Sequence, residues 1–168
     1  GKLVMDGGVI QNNSTLGHGG AITNDDGKME INKGEIKNNT AIAVKTSKGE
    51  YENATGRGGA IYNISSSAKT SKITGGKICN NKADGGAIAC SYSKLDITGG
   101  EISGNESPKS GAICDAGYYP YWDLTLSIRG GKIVGNKGKE AAVKLYRSKS
   151  GNNWNVLEVA GSPIIKEN

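Results

Sequence analysis

The chain has 168 residues, with 27 Gly, 3 Pro and no Phe. That length fits one domain with a sizeable core, but the composition excludes an interior built on large aromatic rings. Its net charge of +5 permits acidic partners, yet the lysines are scattered and suit a soluble β-rich surface better than a basic patch.

The chain opens inside a repeat, at Gly1-Lys2-Leu3-Val4-Met5-Asp6-Gly7-Gly8, so it reads as a monomeric fragment of a longer protein. From there the pattern recurs. Isoleucines follow glycine-rich bends at Ile10, Ile36, Ile78, Ile102, Ile133 and Ile164. Five residues before each lies Met5, Ile31, Ile73, Ile97, Ile128 or Val159. Three residues after the first five lies Asn13, Asn39, Asn81, Asn105 or Asn136, whereas the sixth copy has Glu167 there. A second anchor follows: Gly19-Gly20-Ala21-Ile22, Gly58-Gly59-Ala60-Ile61, Gly85-Gly86-Ala87-Ile88, Gly111-Ala112-Ile113 and Ala141-Ala142-Val143.

Short β-branched runs bounded by Gly, Asn, Ser and Asp are strand and turn signals, and no helical period is sustained. The shortest unit, Ile78 to Ile102, spans 24 residues. That fits an all-β parallel β-helix of about six coils with three short strands per coil. A coil rise of about 4.8 Å makes a rod roughly 30 Å long. In-register Asn residues predict a side-chain amide ladder, and Asn also tolerates the left-handed backbone of such turns.

The Gly-Gly-Ala-Ile motifs, paired with Ile-x-x-Asn, resemble the repeats of chlamydial polymorphic outer-membrane proteins. They equally resemble Gly-Gly-x-Ile-x-x-Asn repeat proteins on Gram-positive gut bacteria. The chlamydial motif usually carries Phe before x-x-Asn, where this chain has Ile, which favours the second group. The resemblance implies a right-handed parallel β-helix, a bacterial surface or secreted, extracellular location, and host-binding rather than enzymatic work.

Three insertions depart from the minimal coil, at about 41–57, 115–123 and 144–155. The second and third bring Tyr118, Tyr119, Tyr121, Trp122, Tyr146, Arg147 and Trp154, with Tyr92 beside them from the preceding coil. These eight residues form the expected partner-binding patch, because Tyr, Trp and Arg dominate interface hot spots. The simpler alternative is that the loops fold back and bury their own rings.

Other chemistry finds little support. Cys79, Cys90 and Cys114 form no C-x-x-C pair, and His18 is the lone histidine, so no metal or cofactor is expected. Three small, partly buried thiols are the simplest expectation, with one bridge still open. His18, in a glycine turn, is expected at the surface, and the adjacent Asp25 and Asp26 as turn formers. No nucleic-acid motif accompanies the charge, and no apolar run suits membrane insertion. The expected function is a non-enzymatic, adhesin-like module for a host protein (immunoglobulin or a mucosal glycoprotein) or a glycan. The alternatives are a passive surface spacer and a carbohydrate-active β-helix enzyme, either a glycosidase with carboxylates among Asp25, Asp26, Asp84, Asp115 and Asp123 or a lyase with Asp84, Asp115 and Lys109.

Overall fold

A computed structural model describes residues 1–44, 56–65, 69–116, 124–145 and 155–168, which hold strands and turns and no helix. The first coil contains β1 (Lys2–Gln11), β2 (Ser14–Thr15) and β3 (Ile22–Asp25). The second contains β4 (Lys28–Lys37), β5 (Thr40–Ala41) and β6 (Ile61–Ile64). The third contains β7 (Thr70–Ile73), β8 (Lys77–Cys79), β9 (Lys82–Ala83) and β10 (Ile88–Ser91). The fourth contains β11 (Lys94–Ile97), β12 (Glu101–Ser103) and β13 (Ser110–Asp115). The fifth contains β14 (Thr125–Ile128), β15 (Lys132–Val134) and β16 (Ala141–Lys144), and the sixth β17 (Val156–Val159) and β18 (Ile164–Lys166).

All these strands pair in parallel with their equivalents one coil away, so the chain is a parallel β-helix. β1 and β4 run unbroken through the glycine bend, whereas later coils split there into two strands. A two-residue strand after the asparagine of the first three coils, which the strand and turn pattern does not mark, forms a small third sheet.

Stacked apolar columns fill the core, and three of them are the ones that the sequence pattern marks. Met5, Ile31, Ile73, Ile97, Ile128 and Val159 stand in register. So do Ile22, Ile61, Ile88, Ile113 and Val143. The remaining column is Ile10, Ile36, Ile78, Ile102, Ile133 and Ile165. Its last member corrects the sequence alignment, which put Ile164 there. The bend through Gly161-Ser162-Pro163 carries one residue more than its equivalents, so the strand enters one position later. The middle isoleucines are almost wholly buried, each contributing about 1.5–3 kcal/mol.

Where two glycines bend the chain over a coil below, at Gly75-Gly76, Gly99-Gly100 and Gly130-Gly131, they serve different needs. A Cβ on Gly75 would lie 2.2 Å from the Asn32 carbonyl oxygen of the coil below, while Gly76 adopts φ +76°. The first position needs space between backbones and the second needs a left-handed conformation.

The predicted asparagine ladder runs through all six coils. Each backbone amide and each Nδ2 donates to the Oδ1 of the next coil's asparagine, along Asn13, Asn39, Asn81, Asn105, Asn136 and Asn168. Asn168 thus continues the ladder that the sequence spacing breaks at Glu167. The left-handed residue of the turn is the one before the ladder, namely Asn12, Asn38, Asn80, Gly104, Gly135 and Glu167. This corrects the expectation that the ladder asparagines adopt that conformation. The side chains of Asn39, Asn81, Asn105 and Asn136 are buried and taken up by hydrogen bonding instead.

Charges also stand in columns. Glu35, Lys77, Glu101 and Lys132 stack in register, as do Glu30, Lys72 and Asp96. Lys72, Lys77 and Lys132, which look scattered along the sequence, therefore alternate with carboxylates in space.

Candidate functional site

A groove of about 600 Å3 crosses coils two to five beside the asparagine ladder. Thr40 and Ala41 come from β5, Lys82 and Ala83 from β9, and Glu106, Ser107, Pro108, Lys137, Gly138 and Lys139 from the equivalent stretches above. Parallel bridges join Lys82 to Glu106 and Glu106 to Lys137, so their side chains follow one another in single coil steps. Lys82 and Glu106 form an exposed ion pair at 3.3 Å, weak and readily exchanged. Ala41, Ala83 and Ser107 are buried and small, which opens the space.

Ser107 fastens the groove to its rim. Its hydroxyl donates to the Asp84 carbonyl oxygen at 3.0 Å and accepts the amides of Gly86 and Lys109. Beyond it, Lys109 Nζ lies 2.9 Å from Asp84 Oδ2. Lys109 and Asp115 also line a small cavity of about 10 Å3 with Arg57, Cys114 and Lys144, room for about one water. The sequence thus assembles the three residues of the enzyme alternative around one neighbourhood. However, Lys109 is tied to Asp84 by the ion pair, and Asp115 is buried and accepts a hydrogen bond from Asn155.

Among the eight residues of the expected patch, Tyr118, Tyr119, Tyr121, Trp122, Tyr146, Arg147 and Trp154 lie outside the described residues. Tyr92 is described: it is half-buried, at φ 45°, in the corner between β10 and β11. The flanks of the two aromatic insertions meet that same corner. β13 and β16, which precede them, pair through Ile113 with Val143 and Cys114 with Lys144. β14 and β17, which follow them, pair from Thr125 with Val156. Asn155 joins the two return points by accepting the Leu124 amide at 2.8 Å.

His18 departs from the surface position expected of it. Its ring stacks on Tyr62 of the next coil with centroids 4.3 Å apart, and its Nδ1 is buried without a hydrogen-bond partner. Burial first, and then the positive charge of Arg57, hold the imidazole below its ordinary value. Burial also raises the Tyr62 phenol. All three cysteines are free and buried; burial pushes the Cys114 thiol up to about 12 and Cys90 higher still. Asp26 takes φ 53° and accepts a hydrogen bond from Ser65, as a turn former does.

Residues 34–64 match the Chlamydia polymorphic membrane protein repeat. This segment runs from the bend of β4 to the end of β6 and carries Ile36, Asn39 and the Gly58-Gly59-Ala60-Ile61 anchor. It is one coil of six, so the likeness holds for the repeat unit. No curated protein and no solved structure matches the chain.

Proposed function

We propose that the chain is a non-enzymatic, adhesin-like binding module of a bacterial surface protein. Its partner is a host protein, such as an immunoglobulin or a mucosal glycoprotein, or a glycan. The repeat match supports a bacterial surface setting. The observation that carries the binding reading is the shared corner: Tyr92 and the flanks of both aromatic insertions come from three successive coils, with β13 and β16 in direct register. Rings carried on such flanks have their attachment points fixed by the stacked core and the asparagine ladder. Little ordering entropy is then lost on contact.

The test is binding of the fragment to immobilised immunoglobulin and to purified mucin. Trp122→Ala and Tyr119→Ala are each expected to weaken binding more than about tenfold while leaving the unfolding midpoint in place. Binding unchanged by both substitutions sinks the patch. Turnover of a polysaccharide that is lost on Asp84→Asn replaces this reading with the enzymatic one.

A further inference from the structure

We infer that the groove beside the asparagine ladder is a second ligand site, built for an extended acidic glycan with an anionic group on alternate sugars. The ordering of its charges carries this. Going up the stack, the wall reads Lys82, Glu106, Lys137 in consecutive coils. Neighbouring strands are about 4.8 Å apart, which puts the two cations about 10 Å apart with a carboxylate midway. A ligand lying along the axis meets cation, acceptor, cation. Carboxylates or sulfates on alternate sugars satisfy the lysines, and the hydroxyls of the neutral sugar between them donate to Glu106.

The lysines are available. Lys82 exchanges its exposed contact with Glu106 for a ligand anion at small cost. Lys137 and Lys139 are exposed and have no carboxylate partner among the described residues.

The same surface disfavours other occupants. An added peptide strand needs unpaired backbone groups at a sheet edge. Here the amides of Lys82, Ala83, Glu106, Ser107 and Lys137 are already bonded to neighbouring coils. Single-stranded nucleic acid needs aromatic stacking platforms, and among the described residues no aromatic ring lines this groove. A continuous row of phosphates would also face Glu106. The floor of Ala41, Ala83 and Ser107 instead lets a sugar ring approach the backbone closely.

The groove is lined by described residues and is independent of the aromatic patch. It is tested by calorimetric titration of the whole chain with a hyaluronan hexasaccharide, whose carboxylates fall on alternate sugars. Measurable binding is expected, with Lys82→Ala and Lys137→Ala each weakening Kd about tenfold, the worth of one charge-assisted hydrogen bond. Lys94→Ala, on β11 outside the groove, is expected to leave Kd unchanged. All three lysines are exposed, so folding is retained, and the unfolding midpoint verifies it. The proposal is overturned by absence of binding, by indifference to both groove substitutions, or by an equal loss in Lys94→Ala, which marks diffuse attraction. Tighter binding of an oligothymidylate of matched length, also lost in Lys137→Ala, overturns it in favour of nucleic acid. Loss of hyaluronan binding in Trp122→Ala with both groove variants unchanged would assign the glycan to the aromatic patch and overturn the groove.

Discussion

Asn136 donates both its backbone amide and its side-chain amide to Oδ1 of Asn168, at 3.1 and 2.9 Å. The Nδ2 of Asn168 in turn reaches back to the Ile133 carbonyl oxygen. The last rung forms although the bend before it holds an additional residue. Stacking order, not spacing along the chain, decides which asparagine completes the ladder.

Asn81, in mid-stack, is wholly buried. Its Nδ2 donates to Asn105, Ile36 and Cys79, and its Oδ1 accepts two bonds from Asn39. Asn81→Ala leaves several buried groups unpaired and is expected to cost about 3–5 kcal/mol. Asn13→Ala, at the exposed first rung, costs about 1 kcal/mol. Urea unfolding of both variants decides it: equal losses mean that the ladder is ornament on an apolar core.

Gly135 has φ +61° and nothing within 4 Å of a built Cβ, whereas a Cβ on Gly99 would stand 2.3 Å from the Thr74 carbonyl oxygen. Gly135→Ala therefore tests backbone strain alone, at about 1–2 kcal/mol, and Gly135→Asn is expected to recover most of it. Gly99→Ala forces two coils apart and is expected to cost about 3 kcal/mol or more. If thermal unfolding ranks Gly99→Ala as the milder change, the division of labour within the glycine bend is wrong.

The lowered pKa of His18 fixes the sign of a pH effect. The ordinary value is 6.5 and the folded value lies below it, so the unfolded chain takes up the proton first as pH falls. The contribution of His18 to stability is complete above 6.5 and is lost as pH drops through the folded pKa. His18→Phe keeps a ring against Tyr62 and removes the titration. Its unfolding midpoint should therefore fall less between pH 8 and pH 5 than that of the parent. Parallel curves for the two proteins would rule out the effect.

The three thiols should be inert in the folded chain. Burial raises the pKa of each, and the thiolate is the reactive form. A maleimide or a disulfide reagent is expected to label none of them rapidly in native buffer and all three in denaturant. Mass spectrometry after brief exposure identifies the first to react; prompt labelling of Cys90 or Cys114 would contradict the packing.

The sequence makes the isoleucine columns and five of the six ladder rungs legible, because stacking in register demands the same residue type at the same place in each coil. Ile165 and Asn168 escape, since an additional residue in a bend shifts the local spacing without disturbing the stack. The left-handed turn position escapes in part. Its occupants include Asn, Gly and Glu167, so no single residue type marks it. His18 looks like a surface residue because its ring partner, Tyr62, is remote in sequence and arrives only when coils stack. The groove is illegible for the same reason: Thr40, Lys82, Glu106 and Lys137 meet only through coil register, whereas aromatic clustering at Tyr118 to Trp122 is visible in any linear scan.

The alternating charge columns have a consequence for assembly of the stack. Glu35 meets Lys77, Lys77 meets Glu101, and Glu101 meets Lys132, while isoleucine sits on isoleucine at every level. The apolar columns are blind to a miscount, since any coil fits on any other. The charges have parity: skipping the third coil would set Glu35 against Glu101. The rod therefore carries on its outside a check on counting that its uniform interior is unable to provide.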